Sequence, residues 1–172
     1  MAHRMTFYVD GGCRGNGQPG AYGAAAALQE DASGQISRFT RKLEKHENPT
    51  NSRAEITAII LALETALDGS DSPAERPFLD VTIHSDSEYG VKCMNEWIHE
   101  WRRNGWVSSK GWEVKNRDLI ERASSLEDQV KEFGAVTYKY IPREQNRKAD
   151  KCCNDALDEM EVEMGYVVDF FM

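Results

Sequence analysis

The chain has 172 residues, room for one domain, and its 40% hydrophobic and 29% charged residues are the proportions of a water-soluble globular protein. No apolar run approaches the length of a membrane-spanning helix, and Met1-Ala2-His3-Arg4 lacks the apolar core of a secretory signal. The expected location is therefore intracellular, in cytoplasm or nucleus, or mitochondrial if a presequence has been removed. The net charge of −8 speaks against a nucleic-acid partner as a sum, but residues 102–117 hold five basic residues against one acid, while 155–172 hold six acids and no base. The four cysteines (Cys13, Cys93, Cys152, Cys153) form no Cys-x-x-Cys pair and read as reduced thiols, and the four histidines have no zinc spacing.

Residues 5–10 read as a strand running up to Asp10, with Gly11-Gly12 expected to turn the chain. Residues 12–20, dense in turn formers, predict a loop. Ala21–Gln29 predicts a second strand whose small residues let neighbours approach closely. Ser33-Gly34 is a turn, and Gln35–Leu43 completes an antiparallel meander. After a polar loop containing Pro49, Ser52–Leu67 predicts a helix, since Ile56, Ile59, Ile60, Leu63 and Leu67 recur at helical spacing. Asp68–Pro77 is a turn-rich linker, and Phe78–His84 alternates as a fourth strand. Helices are expected over Ser87–Arg103, Lys115–Phe133 and Asn146–Met160, with a fifth strand at Ala135–Ile141 stopped by Pro142. The order βββαβααβα predicts an α/β fold: a five-stranded mixed sheet with helices on both faces, the later strands paired in parallel across helical crossovers. One domain is expected over residues 5–160, between an N-terminal extension at 1–4 and a tail at 161–172 that could be strand, docked tail or disorder.

Four carboxylates stand at or near the ends of these elements, and each has an ordinary explanation. Asp10 begins an Asp-Gly-Gly turn signal. Glu55 completes a capping-box pattern, Ser52-Arg53-Ala54-Glu55. Asp86 could be the N-cap of the helix after strand four. Asp150, between Ala149 and Lys151, reads as a solvated charge. Jointly they read differently. Adjacent first and fourth strands bring Asp10 beside Asp86, and a helix packed over the sheet brings Glu55 to the same end. Four gathered acids repel one another unless divalent cations sit between them, and hard carboxylate oxygens suit Mg²⁺ or Mn²⁺.

The residues that carry these acids resemble the motifs of type 1 ribonucleases H. Tyr8-Val9-Asp10-Gly11-Gly12-Cys13-Arg14-Gly15-Asn16-Gly17, Thr50-Asn51-Ser52-Arg53-Ala54-Glu55, Ser85-Asp86-Ser87 and Asn146-Arg147-Lys148-Ala149-Asp150 follow the family's order. Trp97-Ile98-His99-Glu100-Trp101, Gly105-Trp106 and Val114-Lys115-Asn116-Arg117 resemble its basic protrusion, or handle, at about 97–117. The resemblance implies the ribonuclease H fold and an endonuclease that cuts the RNA strand of RNA–DNA hybrids with two metal ions, Mg²⁺ with Mn²⁺ as substitute, leaving 5′-phosphate and 3′-hydroxyl ends. It implies a monomer with no membrane partner. Asp10, Glu55, Asp86 and Asp150 match the metal-binding acids. Cys13, Asn16, Asn51 and Glu88 match positions that read the RNA strand, where the family commonly has glutamine in place of Glu88. Arg53, Asn51 and Ser87 match a phosphate pocket. Trp97, Trp101 and Trp106, with Arg102, Arg103, Lys110, Lys115 and Asn116, match the DNA-strand surface; Arg143 and Asn146 complete the expected substrate contacts. Many members carry a His in the loop before the fourth acid. Here Ile141-Pro142-Arg143-Glu144-Gln145 leads straight to Asn146 without one, so slower turnover or a leaning on Mn²⁺ is expected, with Arg143 or Glu144 as partial substitutes. Two other readings are a hybrid-binding module with weak catalysis and a retroelement-derived domain.

Overall fold

The structure is a computed structural model that describes the backbone of residues 2–68 and 78–171 and the side chains of 3–68 and 78–165. The predicted linker around 69–77 lies outside the described residues. Strands β1 (Ala2–Arg14), β2 (Tyr22–Glu30), β3 (Ile36–Leu43), β4 (Phe78–Ser85) and β5 (Gly134–Tyr140) form one mixed sheet in the order β3-β2-β1-β4-β5. The first three strands pair antiparallel; β4 runs parallel to both β1 and β5. The expected sheet is therefore the observed one.

Helix α1 (Asn51–Asp68) lies on one face of the sheet and buries Ala54, Ile56, Ile59, Ile60 and Leu63 against Phe7, Val9, Val81 and Ile83. Each large side chain fully buried there contributes about 2 kcal/mol of hydrophobic stabilisation. Helix α4 (Arg117–Lys131) covers α1 and β5 from the outside. Helix α5 (Arg147–Phe171) packs on the opposite face, where Cys153, Ala156 and Leu157 meet Ala24 and Ala26. The run Ala24–Ala27 is fully buried, its side chains alternating between the two layers, so both helices approach β2 closely.

Several boundaries differ from the sequence reading. The expected extension at residues 1–4 is strand from Ala2, because Ala2–Arg4 pair with Phe78–Asp80. β1 does not turn at Gly11-Gly12 but runs on to Arg14, held by pairing of Gly11–Arg14 with Ala25–Tyr22. The last helix extends past Met160, as a continuous α5 to Phe171, so the residues read as a tail are helical. The helix expected over Ser87–Arg103 is broken into α2 (Glu88–Lys92), a π turn at Cys93–Trp97, and α3 (Ile98–Asn104). A π turn holds one residue more than an α turn and offsets the faces on either side of it, a feature common near functional sites.

Candidate active site

The parallel ladder between β1 and β4 ends at the pair Val9–Ser85. One residue further, β1 continues with β2 alone and β4 leaves the sheet. Asp10 and Asp86 therefore sit on the two lips of the split, at the carboxyl ends of parallel strands, where open α/β sheets place their ligand crevices. Gly11 sets the third wall. A Cβ built there would lie 2.2 Å from the backbone carbon and oxygen of Ala54, so only glycine lets α1 pass this close to β1. That approach brings Glu55, the next residue of α1, to the split. The fourth wall is α5. Asn146, 1% exposed, donates from Nδ2 to the Val9 carbonyl at 2.9 Å and pins the helix start beside Asp10. Asp150 follows one turn later. All four acids line one cleft of about 270 Å³, together with Cys13, Arg14, Asn51, Arg143 and Asn154.

The ordinary explanation fails for each acid, and for two of them another residue takes the expected role. No turn occurs at Asp10. Thr50, not Ser52, caps α1, its hydroxyl accepting from the Arg53 N–H at 3.1 Å, so Glu55 is not needed at the helix start. Ser87, not Asp86, caps α2 and accepts from the Gly90 N–H at 3.0 Å. Asp150 is only partly exposed, and its Oδ1 accepts from Asn154 Nδ2 at 3.2 Å. Glu55 Oε2 accepts a 2.6 Å hydrogen bond from the Ser87 hydroxyl.

The electrostatics of the cleft are only partly relieved. Burial, then repulsion from Asp86 and Asp150, then a hydrogen bond to Asp150, push the Asp10 carboxyl up to about 8. Burial also raises Glu55; the Ser87 hydroxyl works against the rise, Asp86 adds to it and Arg143 reduces it. Asp86 Oδ2 is buried with no hydrogen-bond partner, and its nearest cation, Arg143 Nε at 4.0 Å, belongs to a side chain 83% exposed. Among the described residues no three acidic, His or Cys side chains close into a ready-made metal cage. The four oxygen-only donors, one with an orphaned buried oxygen and one whose carboxyl is raised by burial and by its acidic neighbours, nonetheless fit a hard divalent cation.

The expected substrate contacts divide into three groups. Cys13, Asn16 and Asn51 are brought together: the Cys13 N–H donates to Asn51 Oδ1 at 2.9 Å, and the Asn51 N–H to Asn16 Oδ1 at 3.3 Å. Glu88, Arg103, Lys110 and Lys115 are exposed. Tyr89, Trp97, Trp101 and Trp106 form a ladder with successive ring centroids 6.1, 5.9 and 6.2 Å apart, Trp97 being 39% exposed while Trp101 and Trp106 lean on the core. A groove of about 540 Å³ runs along Tyr89, Trp97 and Trp101, with Glu100 and Lys115 on its wall. The third group has other work. Ser87 is buried as cap and Glu55 donor, and Asn146 is buried against β1. Arg53 is committed to Asp118 through two hydrogen bonds of 2.9 and 2.7 Å and to the Glu47 carbonyl. Arg102 is turned onto Ser124 and Asp128 of α4. Asn116 Nδ2 donates to the Tyr89 hydroxyl at 3.0 Å. The positioning roles of Gly11, Ser87, Asn146 and Asn154 depend on which element passes which, and local sequence carries no signal for them beyond the glycine itself.

Residues 2–158 match the ribonuclease H (RNase H) family. The chain belongs to the ribonuclease H family. It is 30% identical to a ribonuclease H of Shewanella denitrificans, covering 95% of this chain and 94% of the relative, and 32% identical to that of Saccharopolyspora erythraea, covering 90% and 91%. The crystal structure of RNase H1 from the archaeon Halobacterium salinarum superposes with a TM-score of 0.64 at 24% identity, covering 91% of this chain and 99% of that one, a likeness of fold. The expected family, fold class and reaction class, an endonuclease on the RNA strand of RNA–DNA hybrids, stand on these matches. Burial raises all four thiols of this ribonuclease H, Cys93 to about 11 and Cys153 to about 12.

Proposed function

We propose that the cleft between β1, β4, α1 and α5 holds divalent cations on Asp10, Glu55, Asp86 and Asp150 and cuts the RNA strand of an RNA–DNA hybrid, leaving 5′-phosphate and 3′-hydroxyl ends. The observation that carries the reading is the gathering of Asp10, Glu55, Asp86 and Asp150 on one cleft, where Asp86 Oδ2 is buried without a hydrogen-bond partner; burial and two neighbouring acids also push the Asp10 carboxyl up to about 8. Bound cations, two Mg²⁺ with Mn²⁺ as substitute, supply an activated water and offset charge on the leaving oxygen. The chain's own residues position these acids. Ser87 orients Glu55, Asn154 orients Asp150, and Asn146 holds the start of α5 against β1.

RNA is told from DNA by its 2′-hydroxyl. Cys13, Asn16 and Asn51, linked at the cleft mouth, together with exposed Glu88, are the groups placed to read it. The DNA strand runs along the aromatic ladder, with Arg103, Lys110 and Lys115 against its phosphates. Arg143 supplies the cation that a loop His supplies elsewhere, and turnover is correspondingly slow. All four acids come from one chain, so one copy suffices. No helix among the described residues is long and apolar enough to cross a membrane. The test is cleavage of an end-labelled RNA–DNA hybrid in Mg²⁺ and in Mn²⁺, with double-stranded RNA and DNA as controls. RNA-strand cleavage of the hybrid alone is expected; cutting of the controls at equal rate, or of nothing in either metal, overturns the reading.

A further inference from the structure

A cation stands on the rim of the cleft, among its acids. Arg14, the last residue of β1, lines the cleft with Asp10 and Asp150. Its guanidinium is engaged by α5. Nη2 lies 2.8 Å from Asp158 Oδ1, and Nη1 donates to Glu161 Oε2 at 2.8 Å. Nη2 also donates to Asn154 Oδ1 at 3.5 Å, and the Tyr22 hydroxyl donates to the same Glu161 oxygen at 3.4 Å. Two strands over, Lys42 of β3 pairs with Glu163 at 3.0 Å. The Asp158 and Glu161 side chains are 63% and 64% exposed, so their pairs with Arg14 are screened by solvent and readily exchanged.

The acids come from an unusual stretch. The family match ends at residue 158, so Glu161 and Glu163 lie on the part of α5 beyond it. Residues 155–172 carry six acids and no base; without them the chain's charge would be −2 instead of −8. A carboxylate and a phosphate present similar oxygens to the planar N–H fork of arginine and compete for it.

We propose that Arg14 binds a backbone phosphate of the nucleic acid, and that Asp158 and Glu161 occupy it in the free protein as stand-ins for that phosphate. This rests on the reading of the cleft as the hybrid-cutting site. The substrate exchanges one ion pair for another, so affinity is held below what Arg14 alone would give. The restraint is strongest at low salt, where both the competing pairs and the phosphate contact are least screened.

The experiment is steady-state cleavage of a labelled hybrid at about 50 and about 200 mM salt. It compares wild type, D158N/E161Q, R14Q, the three changes combined, and D155N/E159Q, which removes acids of α5 that do not touch Arg14. Neutralising Asp158 and Glu161 is expected to lower KM about threefold at low salt with kcat unchanged, the difference shrinking at high salt. R14Q is expected to raise KM by a similar factor, and adding D158N/E161Q to it to change nothing further. An unchanged KM in D158N/E161Q, the same fall in the R14Q background, or an equal fall in D155N/E159Q overturns the proposal while leaving the cleft reading intact. A wild type that cuts no hybrid overturns the cleft reading, and this proposal with it.

Discussion

The cleft and the handle are both rich in charge, and they are built on opposite terms. In the cleft every acid is fixed by buried structure: Gly11 admits α1, Ser87 holds Glu55, and Asn146 pins α5. Two of the charges are left strained: Asp86 Oδ2 has no hydrogen-bond partner, and burial with two neighbouring acids raises the Asp10 carboxyl. In the handle the charges are satisfied or solvated. Arg102 is bound to α4, Arg117 lies between Glu113 and Glu121, and Lys110 and Lys115 stand in water. Preorganised, frustrated charge is the mark of a site that acts on a ligand; relaxed surface charge is the mark of one that holds it. Perturbing the first should therefore be costly and steep, perturbing the second mild and salt-dependent.

The largest expected effect is Asp10→Asn. Hybrid cleavage in Mg²⁺ should fall by about 10³-fold, as for removal of a preorganised charge from a transition state. Thermal stability should rise in the same variant, because a repelling carboxylate is gone. Kinetics and melting on the same preparation check both; retained activity would take Asp10 out of the chemistry. Next is Gly11→Ala. Its Cβ meets the α1 backbone rather than a flexible side chain, so about 3 kcal/mol of stability should be lost, read by urea titration. Ser87→Ala is smaller, at about 1–2 kcal/mol, since it removes a helix cap and the Glu55 hydrogen bond together. It should also lower kcat more than a change at an ordinary cap, for which Thr50→Ala is the comparison. Smallest is Lys110→Ala with Lys115→Ala: melting unchanged, KM raised a few-fold, and the slope of log affinity against log salt reduced by about 1 per lysine.

Much of the cleft is legible in the sequence. Periodicity places α1, and alternation places β4. Four carboxylates at or near element ends already suggest a common site. What stays hidden lies in contacts between distant segments. Asp-Gly-Gly is a turn signal locally, and it is overridden because β2 offers Gly11–Arg14 a ladder to continue on. Ala2–Arg4 look like an extension until Phe78–Asp80 pair with them. The rotation of Arg102 onto Ser124 is settled by packing against α4, and nothing local marks the π turn at Cys93–Trp97. Ser87 and Asn146 sit inside motifs and look like ligand contacts; only their burial shows that they position other side chains. The substrate surface is the least legible part, because a lysine in water and an arginine spent on an aspartate carry the same charge in a sequence.

On the proposed reading the cleft is destabilised by its own charge and cations would relieve it, and every role proposed for the four acids depends on this. The carboxyl of Asp10 moves from 3.8 when free to about 8 in the folded chain, so the folded state holds its proton more tightly than the unfolded state. In the absence of divalent metal, stability should therefore fall as pH rises from about 4 towards 8. The direct measurement is the thermal midpoint across that range, with and without saturating Mg²⁺. A decline is predicted in chelator and a flat or rising profile in Mg²⁺, with the decline lost in Asp10→Asn. Identical profiles with and without the metal would contradict it.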